Sequence, residues 1–311
     1  MATIGKTNIE VHPLCLGGNV FGWTADEAHS FAVLDAYAGA GGNFVDTADG
    51  YSSWVSGHSG GESEALIGRW MKSRGNRNRM VIATKVGKKP GLTVQSAANI
   101  RRAAEDSLKR LGTDHIDLYY AHQEDAETPL EETLRAFDAL VREGKVRALG
   151  ASNYTPARLR EALAIQAGAG FARYEALQPH YNLMERLDYE KNLAPICGME
   201  KLSCFPYFAL ARGFLTGKYR AGVTVDSPRS AGASAYLNER GLRVLDVLDE
   251  LAAGHKTTPA AVALAWLRQQ ATVTSPIASA RTVEQLNDLM PMATLTLTAD
   301  EVTRLGAAAQ G

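Results

Sequence analysis

Eight short apolar segments recur along the chain, separated by longer amphipathic ones, and that alternation restricts the fold more than any other feature. They are VHPLCLGG (11–18), NFVDTA (43–48), MVIATKVG (80–87), HIDLYYAH (115–122), KVRALGAS (145–152), YEALQPHY (174–181), LSCFPYFA (202–209) and VTSPIAS (273–279). Short runs of this kind predict strands buried on both faces, as in a parallel sheet. The segments between them have helical spacing. In SAANIRRAAEDSLKRLG, Ile100, Ala103, Ala104, Ser107, Leu108 and Leu111 approximate one apolar face, with Gly112 at the C-cap. In PLEETLRAFDALVREGK, Thr128 and Pro129 predict the start and Gly144 the stop. Alternating strands and helices imply parallel strands joined by right-handed crossovers, and eight such units close an α/β barrel of the (β/α)8 TIM type. The predicted organisation is one barrel domain over residues 1–311. The alternative, an open doubly wound sheet, is usually announced by a Gly-x-Gly-x-x-Gly turn after the first strand; the chain reads CLGGNVFGW there. The GAGG at 39–42 follows a helical segment and precedes a strand, so it reads as a turn.

Charge and cysteine usage narrow the function classes. A formal net charge of -1, from 33 basic and 34 acidic residues, supplies no field for nucleic acid or an anionic membrane. A small-molecule partner is the expectation, and the oligomeric state stays open. Three cysteines in apolar surroundings, Cys15, Cys197 and Cys204, suit reduced core thiols in a cytoplasmic protein better than a disulfide framework. The N-terminus lacks a basic start followed by an apolar run, and no run of about 18 apolar residues exists. Neither secretion nor membrane insertion is expected.

Four polar residues fall at or just beyond the ends of consecutive predicted strands: Asp46 and Tyr51 in DTADGY, Lys85 in VIATKVG and His122 in HIDLYYAH. In a TIM barrel those ends form the catalytic rim, so all four would face one mouth. Taken singly, each has an ordinary structural explanation, from turn-forming aspartate to snorkelling lysine. Together they form a group able to move a proton to or from a carbonyl oxygen. Tyrosine in water ionises only near pH ~10, so it needs a neighbouring cation to favour proton loss in the transition state. Lys85 would supply it, Asp46 would hold the lysine charged, and His122 would orient the carbonyl.

These motifs resemble the Asp, Tyr, Lys and His tetrad of the aldo-keto reductases, in order and strand position. The resemblance spans nearly the whole chain. TIGKTNIEVHPLCLGG looks like that family's N-terminal hairpin and first strand, and KVRALGASNYTP, LQPHYNLMER, FALARGFLTGKY and PIASARTVEQL continue the pattern. It implies NADP(H) as cofactor, with Ser152, Asn153 and Gln178 on the nicotinamide carboxamide and Tyr207 stacked on its ring. LARGFLTGKY would cradle the pyrophosphate around Leu210, Arg212 and Gly213, with Lys218 nearby. Arg281 and Ser279 would take the adenosine 2′-phosphate, favouring NADPH over NADH, and Gln285 the adenine ribose. Three positions depart from the pattern: Leu289 replaces a common asparagine, and Phe208 and Ala209 replace serine and proline.

For the substrate, Trp23 and Trp54 predict an apolar aromatic wall, which suits sugars, steroids and aryl aldehydes alike. The loop YRAGVTVDSPRSAGASAYLNERG is expected to be mobile and to order over cofactor. LTADEVTRLGAAA predicts a C-terminal helix near the end of the sequence, and without the long C-terminal loop of some members of the resembled family an open pocket is expected. His58 and His180 stand outside any closed zinc spacing, so no metal is assigned. The alternative function is a nicotinamide-binding redox sensor or regulatory subunit with slow turnover, as in potassium-channel β-subunits similar to this family. An aldolase-like role, with Lys85 as Schiff base, is disfavoured by Asp46 beside it.

Overall fold

The computed structural model describes residues 1–310. Two short strands, β1 (Ala2–Thr3) and β2 (Glu10–Val11), form an antiparallel hairpin. The barrel strands are β3 (Cys15–Gly17), β4 (Phe44–Asp46), β5 (Val81–Val86), β6 (Ile116–Ala121), β7 (Val146–Ser152), β8 (Tyr174–Gln178), β9 (Ser203–Cys204) and β10 (Ile277–Ala278). These eight are parallel and pair in the order β10-β3-β4-β5-β6-β7-β8-β9. The circuit closes where the Cys204 amide donates to the Thr272 carbonyl, the Thr274 amide to that of Cys204 and the Ile277 amide to that of Pro206. The fold is a (β/α)8 barrel with the expected N-terminal hairpin.

The outer layer consists of α1 (Glu27–Gly39), α2 (Glu62–Arg74), α3 (Ala97–Leu111), α4 (Leu130–Arg142), α5 (Pro156–Ala169), α6 (Ala194–Glu200), α7 (Ser230–Ser234), α8 (Glu239–Gly254), α9 (Pro259–Arg268), α10 (Val283–Leu289) and α11 (Ala299–Ala308). Helix α3 matches its predicted span, with the Ser96 hydroxyl capping its start and Gly112 its end at φ +64°. Helix α4 starts at Leu130, directly after the predicted Thr128 and Pro129. Pro129 occupies its N-cap without a side-chain bond, because the Thr128 hydroxyl donates instead to Asp125 at 2.6 Å. Several strands are shorter than their apolar runs. Pro13, Pro179, Pro206 and Pro276 lie within or beside those runs, and proline has no amide to give to a ladder.

Strand periodicity decides which residues enter the lumen. Along β5, Val81 and Ala83 belong to the inner cluster with Lys85 in the same phase, while Ile82 and Val86 face the helices. The same alternation sends Phe44 and Asp46, Leu118 and Tyr120, and Ala176 and Gln178 inward. Ile4, Ile9 and Val11 from the hairpin join this inner cluster and plug one end. Gly150 on β7 leaves room for the Tyr120 ring, since a Cβ there would stand 2.4 Å from it. Asp46, Lys85 and Gln178 remain at the opposite end, where the strands finish.

Candidate active site

Lys85 is fully buried, and its three ammonium contacts define the site. Nζ lies 2.7 Å from Asp46 Oδ2, 2.7 Å from the Thr47 carbonyl and 2.8 Å from Tyr51 Oη. The ammonium also stands 4.5 Å from the Tyr51 ring centroid. The Tyr51 hydroxyl donates to Asp46 Oδ2 at 3.1 Å, and the second Asp46 oxygen accepts from Gln178 Nε2 at 2.9 Å. The Tyr51 and His122 rings meet edge to face, 6.1 Å apart. The four residues read from the sequence therefore form one group.

Their ionisation follows from burial. Tyr51 is pushed well above its usual value, first by desolvation and then by the Asp46 carboxylate, so it keeps its proton. Burial lowers Lys85, while Asp46 opposes that shift. Burial, with Lys85 and Lys88 nearby, drives His122 well below its usual value. Its imidazole is neutral, and Nδ1 is buried without a partner.

A cavity of about 560 Å³ opens over this group. Asp46, Tyr51, His122, Gln178 and the Trp23 and Trp54 rings line it. The two indoles pack edge to face at 5.5 Å, and Trp54 continues to Tyr51 at 6.2 Å. Ser152 and Asn153 lie beside the tetrad: the Ser152 hydroxyl donates to the Gln178 carbonyl, and the Asn153 amide donates to the His122 carbonyl. Asn153 has φ +54°, a left-handed conformation that asparagine adopts more readily than most residues. Tyr207 donates its hydroxyl to Asn153 Oδ1 at 2.8 Å, and His180 stacks on its ring at 5.3 Å. His180 thus backs an aromatic ring. Among the described residues, no group of three or more His, Cys, Asp or Glu could hold a metal ion.

The far part of the cavity is cationic. Leu210, Arg212, Gly213, Lys218, Ser279 and Arg281 all line it, as do Gln285 and Leu289. Phe208, Ala211 and Arg212 have positive φ, and Gly213 has φ +98°, so this turn is bent into left-handed conformations in which the Ala211 and Gly213 amides donate to the Phe208 and Leu210 carbonyls. Phe208 contributes what its side chain can: its ring lies 4.4 Å beneath the Arg212 guanidinium. Two expected contacts are engaged internally, the Ser279 hydroxyl with Asn19 and Gln285 Oε1 with the Arg281 amide. The cap of α10 is Thr282. Leu289 is buried and apolar, with Asp288 beside it in the lining.

The sequence reading missed Arg229. It lines the cavity 5.9 Å over the Trp23 ring, within a loop that offered no periodic signal. That loop is structured by α7, by the Ser230 hydroxyl on the Val225 carbonyl and by contacts with the cavity rim. Among the described residues, the side chains of Arg212, Lys218, Arg229 and Arg281 make no ion pair with any carboxylate. Unpaired cations such as these around one cavity fit a ligand with several anionic groups.

The chain is similar to several proteins named as reductases, dehydrogenases or oxidoreductases. Norsolorinic acid reductase of Aspergillus flavus is 31% identical, with 96% of this chain and 78% of that protein covered. YrpG of Bacillus subtilis, described as an uncharacterized oxidoreductase, is 34% identical over 94% of this chain and 91% of its own. Aryl-alcohol dehydrogenase GME11368 of Pestalotiopsis microspora is 30% identical, covering 96% and 79%. The family model of the Aldo/keto reductase family matches residues 13–310, and the chain belongs to that family of oxidoreductases.

Proposed function

We propose that this protein is an NADPH-dependent reductase of aldehydes or ketones, running reversibly, with Tyr51 as the proton donor. The observation that carries the reading is the Tyr51 hydroxyl, held between Lys85 Nζ at 2.8 Å and Asp46 Oδ2 at 3.1 Å on the wall of the cavity. The residues present fit a dinucleotide. Ser152, Asn153 and Gln178 offer hydroxyl and carboxamide groups near the tetrad, Tyr207 offers a ring face, and the unpaired cations suit phosphates. When bound, the nicotinamide supplies the hydride that adds to the carbonyl carbon.

The chain's own groups do the rest. A carbonyl entering between Tyr51 and His122 replaces Asp46 as acceptor of the Tyr51 proton. The tyrosinate left behind is stabilised by the ammonium of Lys85, which Asp46 keeps charged. Neutral His122 positions the carbonyl oxygen by hydrogen bonding without competing as an acid. Arg281 supports preference for NADPH, since a guanidinium pairs with a phosphate dianion and gains little from a ribose hydroxyl.

The aromatic wall of Trp23 and Trp54 suits a flat ring, which agrees with relatives named for norsolorinic acid and for aryl alcohols. The favoured substrates are therefore aromatic carbonyl compounds. The buried free thiols support a cytoplasmic location. The test is oxidation of NADPH with 4-nitrobenzaldehyde, for wild type and Tyr51→Phe, repeated with NADH. Loss of a positioned general acid lowers kcat by about 10²–10⁴-fold while cofactor binding persists. Equal turnover by Tyr51→Phe would exclude the proton-donor role, and absence of NADPH binding would exclude the reductase reading.

A further inference from the structure

A buried carboxylate stands close to the tetrad, and the reaction described above does not use it. Asp49, in the loop after β4, is fully buried, and neither carboxylate oxygen has a hydrogen-bond partner. Glu64 of α2, also fully buried, accepts from the Thr84 hydroxyl of β5 and from Arg110 Nε of α3, both at 2.6 Å. Tyr119 of β6 has a buried, unpartnered hydroxyl and feels the charges of Asp49 and Glu64. Lys89, in the loop after β5, and Lys85 itself complete the surroundings. The Asp49 amide donates to the Lys85 carbonyl at 3.3 Å, so the loop bearing the acid is tied to the strand bearing the lysine.

The charge count determines what this cluster holds. Glu64 and Arg110 neutralise one another, so ionised Asp49 would be a second buried anion without a hydrogen bond. Burial first, then Glu64, push Asp49 up to about 7, against Arg110, Lys89 and the nearby Gly50 amide, which does not reach either oxygen in a formed hydrogen bond. Burial and the Glu64 carboxylate therefore favour the protonated form of Asp49 well above the pH at which an ordinary carboxyl ionises.

We propose that Asp49 is a positioning residue of the tetrad: it carries an exchangeable proton, and its charge sets the field at Lys85 and thereby the acidity of Tyr51. This rests on the reading of Tyr51 as proton donor. With Asp49 neutral, the Lys85 ammonium faces one carboxylate, Asp46. Once Asp49 releases its proton to solvent, the lysine faces two. The added negative potential then holds the Tyr51 proton more tightly and slows its transfer to the carbonyl oxygen.

The experiment measures two quantities between pH ~4 and ~9, a range spanning the ordinary and the raised carboxyl values, for wild type, Asp49→Asn and Glu64→Gln: kcat of aldehyde reduction, and melting temperature without cofactor. Reductive kcat of the wild type falls through an inflection near neutrality. Asp49→Asn loses that inflection, and Glu64→Gln moves it to lower pH because Asp49 can then pair with Arg110. For stability, an acid raised in the folded state stabilises fully below its unfolded value of about 3.9. That contribution is lost as pH rises toward about 7, so the wild type loses more melting temperature than Asp49→Asn over that interval. An unchanged inflection in Asp49→Asn, with or without a uniform loss of kcat, overturns the proposal. So does a melting profile parallel to the wild type. If the melting profiles diverge while the wild type turns over nothing, the reductase reading fails and the buried exchangeable proton stands.

Discussion

At Lys85, burial and pairing pull in opposite directions, and the balance explains why the residue is framed so tightly. An ammonium with no solvent contact is costly, and Asp46, the Thr47 carbonyl and the Tyr51 hydroxyl together compensate it. Removing one partner of a buried pair leaves the other unpaired. Lys85→Met is thus expected to destabilise the protein by about 3–5 kcal/mol, as well as slow reduction, which denaturant unfolding would detect. Unfolding free energies within about 1 kcal/mol of wild type would argue against this account. Arg281 gives a cleaner functional separation. Because it is partly exposed and unpaired, Arg281→Met should weaken NADPH binding by about 10–100-fold, the worth of a charge-assisted bond, while NADH binding hardly changes. Fluorescence titration with both cofactors checks this, and equal weakening would dismiss Arg281 as a 2′-phosphate contact. These residues were legible from sequence because each sits at a strand end or in a motif. Arg229 was not, since a cation in an aperiodic loop has no pattern to mark the ring it will cover.

At the scale of elements, strand alternation places the chemistry, and close helix packing keeps it there. Lys85 and Thr84 are neighbours in sequence, yet one enters the lumen beside Asp46 and the other reaches Glu64 on α2. Helices α2 and α3 approach closely at Gly68, where a Cβ would stand 2.4 Å from the Arg110 carbonyl oxygen. Gly68→Ala must force them apart. We expect a loss of about 1–3 kcal/mol from this overpacking, despite alanine's better helix propensity, read as a lower melting temperature. An unchanged or higher value would mean that the interface yields at no cost. Element type and order were readable because buried strands and amphipathic helices differ in period. Strand ends were less so: Pro206 and Pro276 cut the ladders short where the apolar pattern ran on. The start of α4 was legible in Thr128 and Pro129, but Asp125, three residues earlier, captures the Thr128 hydroxyl and leaves Pro129 at the N-cap.

For the whole molecule, one barrel mouth unites residues from positions 17 to 289 around a single cavity. Ligand binding there stabilises the folded state by mass action. NADPH at about 100 times its Kd should add about 2.7 kcal/mol and raise the melting temperature. That gain should shrink with added salt, because screening weakens the attraction of the unpaired cations for phosphates. A salt-independent shift would count against a phosphate-led mode of binding. The alternating architecture, the family and the strand-end placement of Asp46, Tyr51, Lys85 and His122 were legible along the chain, because periodicity and motif spacing are local properties. How each polar group is engaged became visible once the closed barrel brought distant segments together. The carboxamide of Gln178 turns to Asp46, Phe208 supports Arg212, Arg229 crosses to Trp23, and Asp49 is left beside Glu64 without a partner. Each depends on the distance between residues far apart in the chain, and that distance is set by how the barrel closes.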